Sequence, residues 1–311
     1  MPAIVTHNLF GQRALERLDD LSLVHTAEER QAFLLGNQGP DPLAARFLTT
    51  ADEAEACHAL GEAMQDHATT QTFLTLLDCI YLLPQRERRV GEALVLGMLG
   101  HYALDRAAHP LVISQEIAIA EAGVGLADAR REVHAVLESE LDSWMLWRER
   151  GETVTGAGAA GCLARTDRID KAGGALFCRV ALAVYGMSVD LTAYPASVAD
   201  YARVCRIIDP QGTPWLRALG VIERRLHGHS LLQGLSHPSV TSDDACPTAN
   251  LAHDPWRHPY TDEVMTASFP ELFSQALDLW QALAQAFAGG DEKRLAALID
   301  GINYAGEPGR D

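Results

Sequence analysis

The stretch His101-Tyr-Ala-Leu-Asp105-Arg-Ala-Ala-His109-Pro110 constrains this chain more than any other part of its sequence. It places three side chains that can bind metal at positions i, i+4 and i+8, and each step of four residues is only slightly more than one turn of an α-helix. One helix face therefore carries all three. A rise of about 1.5 Å per residue separates His101 from His109 by roughly 12 Å. One ion with bonds of about 2 Å cannot easily hold both ends, so the row predicts at least two ions, with Asp105 able to bridge them.

A second pair, His134 and Glu138, repeats the i, i+4 spacing on another predicted helix. Two facing helices that supply five such ligands resemble the metal sites of helix bundles. The six cysteines are scattered and form no CxxC pair, so a thiolate site is not expected. Imidazole with carboxylate suits zinc, and iron or manganese are also compatible with this donor set.

The composition predicts an all-α fold, a multi-helix bundle in one domain over residues 1–311. Only 6% of the residues are aromatic, and alanine and leucine are plentiful. Tryptophans 144, 147, 215 and 280 are expected in the core. Helices are predicted at about 7–20, 27–37, 52–66, 69–82, 86–108, 126–149, 170–188, 195–207, 212–226, 269–289 and 291–304.

Glycine and proline mark the main features between and within these helices. Gly91, Gly97 and Gly100 lie in the central helix 86–108, where each costs roughly 1 kcal/mol relative to alanine. They predict the close approach of a neighbour that brings ligands together. Pro110 is expected to end that helix. The run Gly39-Pro40-Asp41-Pro42 predicts a stiff turn that holds Asp41.

Residues 227–262 are predicted to form an irregular loop that covers the active site. Five of the twelve histidines lie in this segment, namely His227, His229, His237, His253 and His258. Long loops inside a compact domain are usually functional or disordered. His229 and His258 are the first candidates for contact with a substrate.

The charge balance argues against some partners. With 25 basic and 42 acidic residues the net charge is −17, which opposes long-range attraction to nucleic acid. No stable nucleic-acid complex is expected. The sequence shows no transmembrane segment, and the N-terminus resembles no secretory leader, so a cytoplasmic protein is predicted. The oligomeric state is not predicted.

Several motifs together resemble the bacterial zinc-dependent phospholipase C family, which is related to the zinc single-strand nucleases. They are Thr-His7-Asn-Leu-Phe-Gly, Leu-Leu-Gly-Asn-Gln-Gly-Pro-Asp41, the His101 to Pro110 stretch, and His134-x-x-x-Glu138. Asn250…Trp256-Arg-His-Pro-Tyr-Thr-Asp and Ser268-Phe-Pro-Glu-Leu-Phe add to the likeness. The resemblance covers most of the chain and implies an all-α fold with two to three zinc ions.

The resemblance also implies which residues hold the ions. His101, Asp105 and Asp41, with a further histidine, would hold one zinc. His109, His134 and Glu138 would hold a second, and His7 and Asp105 would share a third. His67 is the preferred further histidine, and His58 is the alternative. The expected substrate is a small or amphiphilic phosphoester.

Three functions remain open from the sequence. The first is a zinc-dependent hydrolase of phosphodiesters or phosphomonoesters, in which Asp41 either orients and deprotonates water or acts as a plain ligand. The second is a helical metalloenzyme with a changed reaction, either non-phosphate hydrolysis or iron-dependent redox chemistry. The third is a binding module with a structural metal, although a structural site usually needs only four ligands. Asp142 and Glu140 are candidates to orient ligand imidazoles.

Overall fold

The computed structural model describes residues 3–18, 23–123, 126, 128–208, 213–240, 242 and 246–311. The described residues form an all-α protein with thirteen α-helices and one two-stranded sheet. The helices are α1 (Ile4–Leu18), α2 (Ala27–Gly36), α3 (Ala51–Asp66), α4 (Thr69–Tyr81), α5 (Gln85–Ala122), α6 (Arg130–Arg150), α7 (Gly156–Gly161), α8 (Asp167–Tyr185), α9 (Ala193–Ile208), α10 (Pro214–His227), α11 (Leu231–Gly234), α12 (Phe269–Ala288) and α13 (Glu292–Ile299). The all-α prediction is confirmed.

The described residues group into two compact units. Unit 1 takes in the described parts of Met1–Thr6, Ala108–Gly161 and Arg203–Phe273. Unit 2 takes in those of His7–Ala107, Cys162–Ala202 and Ser274–Asp311. Helices α1, α5, α9 and α12 each contribute residues to both units. The single domain over 1–311 stays a prediction.

Helix α5 is longer than predicted, because Pro110 does not end it. The helix continues to Ala122 with Pro110 inside. A proline within a helix costs about 3 kcal/mol, since it removes one hydrogen bond and crowds the preceding turn. Leu111 and Val112 follow directly and are 0% and 2% exposed. Burial of each such side chain contributes about 1.5–3 kcal/mol, which offsets the proline.

The glycines of α5 allow a close contact with α2 inside unit 2. A Cβ on Gly97 would lie 2.1 Å from the backbone oxygen of Phe33, and a Cβ on Gly36 would lie 2.1 Å from that of Leu94. No side chain fits at either position without displacing a backbone. The predicted close approach is confirmed. On the same helix, the backbone oxygen of Leu96 accepts a hydrogen bond from the buried indole of Trp280 at 3.1 Å.

The tryptophan predictions are partly confirmed. Trp144 and Trp280 are completely buried, and Trp147 is partly buried. Trp215 is 64% exposed on α10, so its assignment to the core is wrong. Among the residues of α10 whose burial the structure describes, Leu216 and Gly220 are buried. Neither lies one full turn from Trp215, so the indole is outside the packed face of the helix.

The segment 227–262 is less irregular than predicted. It contains α11, a 3₁₀ turn at Pro247–Ala249 and strand β1 (Trp256–Arg257), which pairs antiparallel with β2 (Val264–Met265). Outside this segment, the short run Gly156–Gly161 is helix α7, which is not among the helices predicted from the sequence. Four positions of the segment, 241 and 243–245, lie outside the described residues. Its role as an active-site cover stays a prediction.

No helix among the described residues has both the length and the apolar character needed to cross a membrane.

Substituting alanine for Gly97 tests the α2–α5 contact. We expect Gly97→Ala to lower the free energy of unfolding by about 1–3 kcal/mol, because the methyl group must push against the Phe33 carbonyl. Urea unfolding monitored by circular dichroism measures this. Gly161→Ala is the matched control, since a Cβ there meets nothing within 4 Å. Equal stability of Gly97→Ala and the wild-type chain would contradict the packing described.

Candidate metal centres

Two groups of three side chains that could hold a metal ion occur among the described residues. The His101 triad consists of His7, His101 and Asp105, and the His134 triad consists of His109, His134 and Glu138. Within each triad, one ligand atom from each residue lies within 4.8 Å of the others. The sequence-predicted row on α5 is thus divided, with two members in one triad and His109 in the other.

The His101 triad, in unit 2, is buried. Its three residues are 0–4% exposed. The Nε2 atom of His7 lies 3.0 Å from Oδ1 of Asp105, and Nε2 of His101 lies 3.1 Å from Oδ2. The two imidazole rings stack with their centroids 4.1 Å apart. Asp105 therefore presents a different oxygen to each imidazole.

Backbone contacts position His101. Its Nδ1 atom lies 3.1 Å from the backbone oxygen of Asn37, just beyond the end of α2. Gly39 has φ of +50°, and a Cβ there would lie 2.3 Å from Cδ2 of His101. A Cβ on Gly100 would lie 2.4 Å from the Asn37 side-chain oxygen. The absence of side chains at Gly39 and Gly100 lets the turn after α2 lie directly against the imidazole.

The charges in the His101 triad favour a cation. Burial lowers the pKa of His101, but the carboxylates of Asp105 and Asp41 outweigh it and raise that pKa to about 9. Burial and repulsion from His101 lower the pKa of His7. Without an ion, His101 therefore carries the positive charge that the carboxylates attract. A divalent cation would supply that positive charge in its place.

Asp41 lies beside this triad. It opens the 3₁₀ turn Asp41–Ala45 and is 6% exposed. Its Oδ1 atom is 3.7 Å from Nε2 of His101 and accepts a hydrogen bond from Nε2 of Gln65 at 2.8 Å. The turn predicted from Gly39 to Pro42 is confirmed. The roles of Asp41 as ligand or as base stay predictions.

The His134 triad, in unit 1, is more open. The side chains of His109 and His134 are 17% and 24% exposed, and that of Glu138 is 3% exposed. Both Nε2 atoms lie 3.2 Å from the same oxygen, Oε1 of Glu138. Burial raises the pKa of Glu138, but the two imidazoles contribute to lowering it well below its ordinary value. This carboxylate is therefore ionised at neutral pH.

A further acid that the sequence analysis missed contacts this triad. Oε2 of Glu116 lies 2.9 Å from Nδ1 of His134, and Oε1 accepts a hydrogen bond from Nε of Arg130 at 2.6 Å. Burial lowers the pKa of His134, yet Glu138 and Glu116 outweigh it and raise that pKa to about 9. Glu116 lies beyond Pro110, where the sequence predicts the end of the helix, and no local spacing in the sequence pairs it with His134.

Both triads fit a divalent ion by their chemistry. Ligand atoms of a tetrahedral zinc site, with bonds of about 2.0–2.1 Å, lie roughly 3.3–3.4 Å apart. The imidazole–carboxylate separations here are 3.0–3.2 Å. In the His101 triad, Nδ1 of His7 is buried and has no hydrogen-bond partner among the described residues, while Nε2 of His101 faces the carboxylates of Asp105 and Asp41. A buried imidazole nitrogen without such a bond is costly unless another ligand satisfies it.

His67 lies in neither triad. Its side chain is 50% exposed, with Nδ1 3.3 Å from Asp66 and the ring edge-on to Tyr185. The alternative, His58, contacts the ring of Phe47, and its Nε2 atom is buried without a hydrogen bond. The choice between His67 and His58 as a further ligand stays a prediction.

The later histidines are placed as follows. His237 is buried and contacts Asp142 at 3.0 Å, while Asp142 also accepts hydrogen bonds from the backbone of Val5 and Thr6. Nδ1 of His258 accepts hydrogen bonds from the backbone N–H groups of Tyr260 and Thr261 in its own turn, which is a structural role. His229 lines a separate cavity of about 750 Å³ in unit 1.

The two acids predicted to orient ligand imidazoles contact other groups. Asp142 contacts His237, and Glu140 accepts a hydrogen bond from the Thr248 hydroxyl at 2.9 Å. The acid that contacts an imidazole of a triad through its second ring nitrogen is Glu116. The carboxylate of Asp142 accepts its hydrogen bonds from the backbone N–H groups of Val5 and Thr6, which are distant in the sequence. The spacing of residues along the chain does not reveal such a contact.

Comparison of the chain with protein-family models, curated proteins and solved structures finds no match. What the structure supports directly is an all-helical protein with two groups of imidazoles and carboxylates that could bind metal.

Zinc titration tests both triads. We expect the chelator-treated chain to take up at least two zinc ions, and His101→Ala and His134→Ala each to lose about one. Free zinc at 100 times the dissociation constant of a site should add about 2.7 kcal/mol to the free energy of unfolding. Elemental analysis after gel filtration and thermal unfolding measure these effects.

The control for this titration is His25→Ala, because His25 is exposed and belongs to neither triad. It should bind as much zinc as the wild-type chain. Uptake of less than one zinc ion per wild-type chain would contradict the assignment of both triads as zinc sites.

Proposed function

We propose that this chain is a zinc-dependent hydrolase of phosphoesters, with the fold of the zinc-dependent phospholipase C type. The observation that carries the proposal is the pair of two-imidazole, one-carboxylate triads, one of them buried around Asp105. The motifs that resemble the phospholipase C family contribute all six of these residues.

The donor set supports catalysis more than a structural metal. A structural zinc site usually has four protein ligands, often thiolates, whereas a catalytic site keeps a position open for water or substrate. Each triad by itself offers three ligands and no thiolate, before any further ligand that the resemblance implies is added. The described cysteines are free, and none belongs to a triad.

The proposed roles follow from these contacts. His7, His101 and Asp105 would hold zinc in unit 2, and His109, His134 and Glu138 would hold zinc in unit 1. The resemblance adds Asp41 and either His67 or His58 as further ligands and allows a total of two to three ions. Zinc held there would supply Lewis acidity toward a phosphoryl oxygen and toward water.

Asp41 is the residue of this chain proposed to move a proton. Its carboxylate is fixed by the hydrogen bond from Gln65 to Oδ1 and by the rigid turn that begins at Gly39. A fixed, buried carboxylate next to a metal triad is suited to orient water and to accept its proton. The alternative role, a plain ligand, predicts loss of zinc when Asp41 is changed.

An assay of the zinc-loaded chain tests the function. We expect hydrolysis of a chromogenic phosphodiester or phosphomonoester that stops on chelation and returns with zinc. A carboxylic ester serves as a substrate control. Failure to cleave either phosphoester in a chain that contains two zinc ions would contradict the proposal. Iron in the purified chain, with a visible absorption band, would instead favour redox chemistry.

Asp41→Asn tests the proposed base. We expect kcat to fall by about 10²- to 10⁴-fold with the zinc content unchanged, because asparagine cannot accept a proton. Asp52→Asn is the control, since Asp52 is an exposed carboxylate in the first turn of α3. A lower zinc content in Asp41→Asn would assign Asp41 as a ligand, and an unchanged kcat would exclude both roles.

A further inference from the structure

Glu116 is a buried carboxylate that none of the ligand assignments above uses. It is 7% exposed and lies on α5, seven residues after His109. Seven residues make almost two full turns of an α-helix. Glu116 and His109 therefore lie on the same face of α5, in the part of the helix that belongs to unit 1.

Both oxygens of Glu116 contact residues of α6. Arg130 Nε donates to Oε1 at 2.6 Å, and Nδ1 of His134 lies 2.9 Å from Oε2. Arg130, His134 and Glu138 follow one another at i, i+4 and i+8, so one face of α6 carries all three. With one oxygen held by the guanidinium, the other is fixed in position for the imidazole.

This contact determines which nitrogen of His134 can bind a metal. A carboxylate oxygen accepts hydrogen bonds and donates none, so Nδ1 of His134 is the donor in the contact with Glu116. The lone pair available to an ion is then on Nε2, the atom that lies 3.2 Å from Glu138. Outer carboxylates that hold a ligand histidine in this way fix its ring and raise its basicity.

We propose that Glu116, held by Arg130, is the positioning residue of the His134 triad: it fixes the ring and the tautomer of His134 and raises the affinity of that triad for a divalent cation. The inference rests on the proposed function only in requiring that the His134 triad bind zinc. It does not depend on which ester, if any, the chain hydrolyses.

The effect should be confined to one of the two triads. The corresponding atom in the other triad, Nδ1 of His101, faces the neutral backbone oxygen of Asn37 at 3.1 Å. Glu116 therefore has no counterpart with a charge at that position. A change at Glu116 should weaken one zinc equivalent and leave the other as it was.

Zinc competition against a chromogenic chelator, combined with absorption spectra of the cobalt-substituted chain, tests this. Glu116→Leu keeps the approximate volume but has no acceptor, and should weaken one of the two equivalents by about 10- to 100-fold. Glu116→Gln keeps an acceptor oxygen without the charge, so its loss should be smaller. Arg130→Met should also give a partial loss. The cobalt spectrum of the weakened equivalent should change with it.

Matched controls are available on the same helices. Glu121→Gln removes an exposed carboxylate from α5, and Arg131→Met removes the exposed arginine next to Arg130 on α6. Both should bind zinc as the wild-type chain does. Thermal unfolding of the zinc-free variants separates a loss of affinity from a loss of folding.

The outcomes distinguish this inference from the proposed function. Two zinc ions bound with unchanged affinity in Glu116→Leu would overturn the positioning role and leave the hydrolase proposal intact. Equal weakening of both equivalents would show a general structural effect and would also overturn it. A wild-type chain that binds no zinc would overturn both proposals.

Discussion

Asp105 is a carboxylate buried between two imidazoles, and the rest of the structure must compensate for the cost of burying its charge. Burying an ion costs several kcal/mol unless charges and hydrogen bonds compensate for it. His7 and His101 lie 3.0 and 3.1 Å from its two oxygens, and Asp41 adds a second acid. His7, His101 and Asp105 lie close enough together that they could hold a metal ion. The glycines at positions 36, 39, 97 and 100 allow the backbone at the end of α2 to pack against α5 and His101.

In the His134 triad, other groups compensate for the buried charge. Its imidazoles are partly exposed, and its support comes from charged side chains, with Glu116 between His134 and Arg130. The His101 triad is buried and supported by a backbone carbonyl. The two triads should therefore differ in how fast they exchange metal with solution and in how strongly each depends on outer residues. One all-α chain thus supports similar ligand sets with two kinds of surroundings.

The local part of both triads could be predicted from the sequence, and the long-range part could not. Regular i, i+4 spacing placed His101 with Asp105 and His134 with Glu138, because helix geometry alone determines those pairs. The division of the α5 row between two triads agrees with the distance argument for two ions.

The contact between His7 and Asp105, which are 98 positions apart in the chain, does not follow from spacing and is implied only by a family resemblance. Glu116 lies past Pro110, where the sequence predicts a helix end, whereas the helix continues to Ala122 with Leu111 and Val112 buried. The position of His67 depends on Asp66 and Tyr185, contacts that no local pattern reveals.

We expect imidazoles and carboxylates from distant parts of the chain to surround divalent cations. An anomalous difference map at the zinc absorption edge, from crystals of the zinc-loaded chain, tests it most directly. The account predicts one peak about 2.0–2.1 Å from Nε2 of His101 and another at the same distance from Nε2 of His134. A map from a zinc-loaded crystal with no peak at either triad, and with the imidazole–carboxylate contacts unchanged, would contradict it.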